Sequence, residues 1–231
     1  MGHSLKAMNS INQLSTLLDG IAEDEQRIFL PYDVYLCEKK KLKAVSIYLS
    51  TVCKLAVDPK CVSSLCQNGY EFLSLNFKHQ NEERWCELMK LQLMICEIDA
   101  ALLQTKLELA SQVIFNLNVK LLGKAVQINQ NYNAPNDLEM HLCLRTAFFS
   151  QCMGNLQVAT MNYNTVNASA HSKELKAIAQ LCIQQLSILS CDQPSHTVFD
   201  YENKCDRLKC GIYFTEALQN YFSSENHKTK Y

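Results

Sequence analysis

Between Leu142 and Leu189 apolar residues recur at the period of an α-helix, and turn residues cut the stretch into three helix-sized pieces. Leu142 to Cys152 is apolar on most sides, and Gly154-Asn155 supplies a C-terminal stop and a turn. Val158 to Val166 begins a second periodic segment, which the cluster from Ala168 to Ser172 breaks. After it, Leu175, Ile178, Ala179, Cys182, Leu186 and Leu189 line one face of a third helix. Because Leu181, Ile183 and Ile188 lie off that face, this helix is expected to have neighbours on two sides, as an internal helix of a stacked array does.

The rest of the chain is punctuated in the same way by only six Gly and four Pro. Leu5 to Leu18 reads as an amphipathic helix stopped by Asp19-Gly20, and Ile21 to Leu36 as a segment begun or interrupted by Pro31. Val45, Tyr48, Leu49, Val52, Leu55 and Ala56 form one helical stripe ended by Asp58-Pro59. Val62 to Phe77 reads as one helix broken at Gly69, or as a pair. Glu82 to Leu122 contains neither Gly nor Pro; as a single helix it would run about 60 Å at 1.5 Å per residue, so two antiparallel helices with a turn near Glu97 to Ala101 are expected. Asn129 to Asn136 is a loop, with Asp137 as N-cap of the following helix. Further on, Cys191 to Thr197 reads as a loop, Tyr201 to Cys210 and Ile212 to Phe222 as helices. No run of strand-like alternation occurs, and the expected fold class is all-α. Residues 1–222 are expected to form a single elongated helical-repeat domain with a soft boundary at 129–136, and 223–231 a polar tail.

Composition narrows the class. With 48% hydrophobic and 19% charged residues the chain can bury a full core, and a formal net charge of -1 gives no global reason to bind nucleic acid or an anionic membrane. No apolar run approaches the roughly 20 residues that span a bilayer, and MGHSLKAMNS has no apolar secretory core, so a soluble, non-secreted protein is expected. Lys6 stands where a myristoylation motif requires Ser or Thr. The twelve cysteines lack a Cys-x2-Cys spacing and many fall within apolar periodic segments (Cys53, Cys86, Cys96, Cys143, Cys152, Cys182), so they read as free and mostly buried thiols.

Two patterns bear on interaction. Lys39, Lys40, Lys41 and Lys43 form a basic run that reads either as a partner-facing patch or as a solvated turn with the first turn of a helix. The pattern Cys-x6-Ala-x3-Tyr occurs three times, placing Ala44 with Tyr48, Ala159 with Tyr163, and Ala217 with Tyr221. A small residue followed one turn later by an aromatic lets two helices approach closely while the ring fills the groove, as on the second helix of a tetratricopeptide repeat. The fold expected from these patterns is a solenoid of stacked antiparallel helix pairs with degenerate repeats of that type.

The block from Ala147 to Leu189 also resembles the C-terminal region of the tetratricopeptide subunit of the cohesin loader, in which a Gly-containing turn, an alanine and an aromatic precede a Glu-Leu-x-x-x-Ala helix. Those positions here are Gly154, Ala159, Tyr163, Glu174, Leu175 and Ala179, with Pro194, Ser195 and His196 in the loop downstream. Members of that family are much longer than this chain, which would correspond to a C-terminal fragment or a shortened form. The resemblance implies a nuclear, chromatin-associated scaffold without catalytic activity. It would bind the large helical-repeat subunit of the loader and support sister-chromatid cohesion, with no direct nucleic-acid binding, membrane attachment or cofactor.

No G-x-G-x-x-G, G-x-x-x-x-G-K-[ST], H-E-x-x-H or G-x-S-x-G occurs. The six histidines are scattered, and the pairs Glu82/Glu83 and Glu97/Asp99 are too close in sequence to face one substrate from a helix. Trp85 reads as a core residue, and Asn167-Ala168-Ser169 as a formal glycosylation sequon without consequence in a cytosolic or nuclear protein. No catalytic, cofactor-binding or metal-ligating residue is nominated. Two other functions stay open: a helical subunit of another multisubunit assembly, such as one resembling the proteasome lid, in which case the chain would be cytoplasmic, and a carrier for an apolar ligand.

Overall fold

The computed structural model describes residues 2–20, 32–77, 80–128, 137–189 and Thr215. Among them there are eight α-helices and no strand: α1 (Gly2–Gly20), α2 (Tyr32–Val57), α3 (Val62–Asn76), α4 (Gln80–Leu103), α5 (Leu107–Ile128), α6 (Leu138–Cys152), α7 (Leu156–Ser169) and α8 (Lys173–Leu189). The chain divides into two compact units, Met1–Lys120 and Leu121–Tyr231. The loop expected at 129–136, the loop at 191–197 and the helix at 201–210 lie outside the described residues, as does the 212–222 helix except for Thr215.

In the first unit α2 is the shared element, touching α1 along one side and α3 and α4 along another. It ends where Asp58-Pro59 was expected to stop it. The Asp58 carboxylate accepts from the Lys60 N–H at 3.3 Å and from the Cys61 thiol at 3.0 Å, and a single 3-10 turn over Pro59–Cys61 leads into α3. Helices α3 and α4 run antiparallel, since the Cys66 thiol near the start of α3 donates to Leu93 O and the Cys86 thiol near the start of α4 donates to Leu73 O. The core they share contains Ala44, Val62, Cys66, Leu73, Phe77, Cys86, Leu93, Cys96 and Ala100. Trp85 packs against it, its ring centroid 5.2 Å from that of Phe77, as expected of a core residue.

Two sequence expectations are corrected here. Gly69 does not break a helix: α3 is continuous, and Gly69 is buried at its closest contact, where a Cβ would stand 2.6 Å from Leu93 Cδ1 and 3.4 Å from Ile47 Cγ2. The turn expected at Glu97 to Ala101 is also displaced, because α4 runs on to Leu103. The turn is made by Thr105 at φ 56°, with Thr105 N–H donating to Leu102 O and Lys106 N–H to Ala101 O. This is a Schellman ending with a β-branched residue in the place that glycine normally takes. Gln104 fixes the corner by donating from Nε2 to Pro59 O at 2.9 Å.

A half-buried carboxylate lies in the same unit. Glu97 accepts from Tyr70 Oη at 3.2 Å, and burial pushes its pKa up and that of the Tyr70 phenol well up. Along α5, Ala110, Val113, Ile114 and Leu117 form the buried stripe, and Lys120 Nζ reaches Met94 Sδ of α4 at 3.8 Å.

In the second unit α6 and α7 form an antiparallel pair. Ala147 clusters with Ala159 and Tyr163 near their turn, and Met140 and Cys143 cluster with Val166 and Ala170 at the far end. Gly154 at φ +77° makes the turn as expected, with Gly154 N–H donating to Gln151 O and Asn155 N–H to Ser150 O. Asn155 then caps α7, its Oδ1 accepting from Val158 N–H. Helix α8 packs on α7 through Leu175, Ala179 and Leu186, and its other side is buried too, at Leu181 and Ile188. There Gln185 Nε2 donates to Thr215 Oγ1 at 3.0 Å, and Thr215 is fully buried. The two-sided burial expected of this helix is present.

Asp137 precedes α6 but does not cap it with its side chain. Its carboxylate instead accepts from the His171 and Ser172 N–H groups, at 2.8 Å each, and so pins the start of α6 to the turn before α8. Burial alone would raise its pKa; the two N–H donors and the nearby His171 ring outweigh burial and hold it below the usual carboxylate range.

Replacing Thr105 by glycine relieves the left-handed backbone and should stabilise the first unit by about 1 kcal/mol, read as a higher denaturant midpoint at unchanged slope. Asp137→Asn should destabilise the second unit at pH 7 by about 1.5–3 kcal/mol, since charge-assisted bonds to two backbone donors are lost. A carboxylate whose folded pKa is depressed stabilises above its unfolded value near 4 and stops doing so as pH falls through the folded value. Unfolding curves of wild type and Asp137→Asn should therefore converge below about pH 4.

A candidate interaction surface on α2 and the packing of the second helices

The residues nominated in the sequence fall into two groups. Ala44 is buried on α2 and Tyr48 packs against the same core; Ala159 and Tyr163 on α7 are each 0% exposed. The small residue followed by an aromatic thus sits at a helix contact in both described copies, packed with α3 and α4 in the first and with α6 and α8 in the second. Tyr163 donates from Oη to Gln151 Oε1 at 3.0 Å, so its one polar atom is satisfied, and burial pushes the phenol well up, with the Cys182 thiol beside it. Ala217 and Tyr221 lie outside the described residues.

The lysine run is neither a turn nor the first turn of a helix: Lys39, Lys40, Lys41 and Lys43 stand within α2. Lys41 pairs with Glu38 at 2.8 Å and Lys43 with Asp19 of α1 at 2.6 Å, so part of its charge is spent within the chain. Nearby, the Cys37 thiol donates to Glu82 Oε1 of α4, and burial raises its pKa.

The apolar stripe on α2 is two stripes. Tyr48 and Leu55 face the core with Ala44. Leu49 and Val52, read together with them from the sequence, point the other way: Leu42 is 48%, Leu49 40% and Val52 39% exposed, with Ala56 also exposed and Val45 half-buried between them. Leu42, Val45, Leu49, Val52 and Ala56 alternate steps of three and four, the spacing that keeps one seam facing a second helix. The sequence carried this signal in that alternation, but residues of the core-facing stripe lie one position away and hid it.

Among the described residues no three His, Cys, Asp or Glu side chains stand together as metal ligands, and no helix is long and apolar enough to cross a membrane. None of the nine described cysteines is in a disulfide. Cys66, Cys86 and Cys96 are buried, whereas Cys61 and Cys152 are exposed, the latter against expectation because it ends α6 on its outer side. Burial pushes the Cys66 and Cys143 thiols up, which disfavours the reactive thiolate.

Among the described residues, fold and surface together define an all-helical protein with an exposed apolar helix face. Comparison with family models, with curated proteins and with solved structures returned no match.

Ala159 sits where α6 and α7 meet, so Ala159→Leu should overpack the contact and cost about 1–3 kcal/mol. Ala168, exposed on the outer side of α7, should accept leucine with little change. Thermal unfolding of the two variants checks the difference; equal effects would remove Ala159 from the contact.

Proposed function

We propose that this chain is a non-catalytic helical scaffold whose α2 outer face docks a helix of a protein partner. The observation that carries the reading is the seam Leu42, Val45, Leu49, Val52 and Ala56, apolar and heptad-spaced yet turned to solvent on a helix already packed against α1 on one side and against α3 and α4 on another. Solvent-facing helix positions are ordinarily polar, and a contiguous exposed apolar stripe is the mark of an interaction site. Further support comes from the small-then-aromatic contacts at Ala44/Tyr48 and Ala159/Tyr163, which suit a degenerate tetratricopeptide-like solenoid of stacked helix pairs.

The resemblance of residues 147–189 to the cohesin-loader subunit names the partner: the large helical-repeat subunit of that loader, on chromatin in the nucleus, in support of sister-chromatid cohesion. On this reading the chain acts by shape alone, with no cofactor and no direct contact to DNA.

The test is capture of the purified large loader subunit by the immobilised chain. Wild type should bind, and Leu49→Glu should weaken binding at least about tenfold, the equivalent of 1.4 kcal/mol, with an unchanged melting temperature because Leu49 is exposed. Failure of the wild type to bind would remove the cohesin-loader assignment. Binding indifferent to Leu49→Glu would remove α2 as the docking face.

A further inference from the structure

We infer that the corner between α4 and α5 is a hinge at which the chain straightens into one continuous helix, and that two copies of the chain exchange α5 through it. The sequence is helix-competent across the bend. From Glu82 to Leu122 it holds neither Gly nor Pro, and the corner residues Gln104, Thr105 and Lys106 are not of the types that favour turns. The bend is therefore imposed against local preference.

Two features hold it. Thr105 stands at φ 56°, where a β-branched side chain is strained. Gln104 Nε2 donates to Pro59 O at 2.9 Å, a bond that ties the corner to a distant part of the chain. Once that tie breaks, Thr105 is free to return to the right-handed region, and the three corner residues close the backbone bonds that join the two helices. The joined helix runs from Gln80 to Ile128, about 70 Å at 1.5 Å per residue.

Straightening uncovers two apolar stripes. Leu91, Ile98 and Leu102 are buried on the side of α4 turned away from Cys96 and Ala100, which belong to the core shared with α3; Ala110, Val113 and Leu117 are buried along α5. Lys120 Nζ reaches Met94 Sδ although each residue lies about 15 Å or more of helix from the corner, so α5 doubles back along that side of α4. Exposing both stripes to water is costly, and the surface that fits each is the one it has just left. A second straightened chain offers that same surface. The exchanged pair regains the α4–α5 contacts and sheds both strained corners, and short hinges under strain favour such exchange between copies. At low concentration the loss of freedom on association keeps the closed monomer ahead.

Size-exclusion chromatography with light scattering, on the purified full chain held concentrated and then diluted, tests this. A dimer should form on concentration and persist after dilution, since its return requires the stripes to separate again. Gln104→Ala, which cuts the tie and adds a strong helix former, should raise the dimerisation constant at least about fivefold, the equivalent of about 1 kcal/mol. Thr105→Gly, which relaxes the bend and weakens the straight helix, should lower it by at least as much. In dimers formed from ordinary and isotope-labelled chains together, a lysine-reactive reagent should join Lys90 of one chain to Lys120 of the other. Absence of a dimer from wild type and Gln104→Ala alike, a shift of both variants in one direction, or Lys90–Lys120 links confined within single chains would overturn the inference. Should Gln104→Ala fail to fold, Thr105→Gly decides alone: a dimer that it leaves undiminished overturns the hinge.

Discussion

The first unit depends on how closely three helices approach at Gly69. With no side chain there, α3 comes near enough for Leu93 of α4 and Ile47 of α2 to fill the space a Cβ would need. Ala44 and the fully buried Thr51, whose hydroxyl is returned to Ile47 O, keep the matching face of α2 equally thin. Such an approach fixes the rotation of α2 about its own axis. Tyr48 and Leu55 are turned inward, Lys43 toward Asp19 of α1, and the remaining face, from Leu42 to Ala56, outward. The apolar surface offered to solvent is therefore a consequence of core packing, held in place by a rigid neighbour rather than by a loop.

In the second unit the corresponding constraint is polar. One carboxylate, Asp137, satisfies two backbone donors ahead of α8 while standing at the start of α6, so it fixes helices that are distant in sequence. Gly154 and Asn155 set the intervening turn by local chemistry alone, ending α6 and capping α7 in consecutive residues.

What could be read from the sequence follows from this contrast. Helix identity, the Gly154-Asn155 turn, the stop at Asp58-Pro59 and the two-sided burial of α8 are written in local periodicity and turn chemistry, and they were legible. The end of α4 was not, because Thr105 adopts a backbone conformation that local preference assigns to glycine, with nothing nearby in sequence to mark it. Gly69 was misread as a break for the opposite reason: its role is defined by Leu93 and Ile47, which lie on other helices. Asp137 was recognised as a helix-start residue, but the helix start it serves is that of α8, thirty-odd residues away. Of the candidate site, Ala44 with Tyr48 and Ala159 with Tyr163 were legible because close packing needs a small residue beside a large one. The outward seam was not, since Leu49 and Val52 adjoin the inward Tyr48 and Thr51 in sequence and only the packing of α3 and α4 separates the faces.

Carbene footprinting of α2 tests the central claim, that this face is open in the free chain and covered on assembly. In the dilute purified chain Leu42, Leu49 and Val52 should be labelled while Leu73 and Leu93 of the core are not, and in the complex isolated intact from cells the labelling of the three should be lost. Protection of Leu49 in the dilute chain, or equal labelling of Leu49 in chain and complex, would contradict the account.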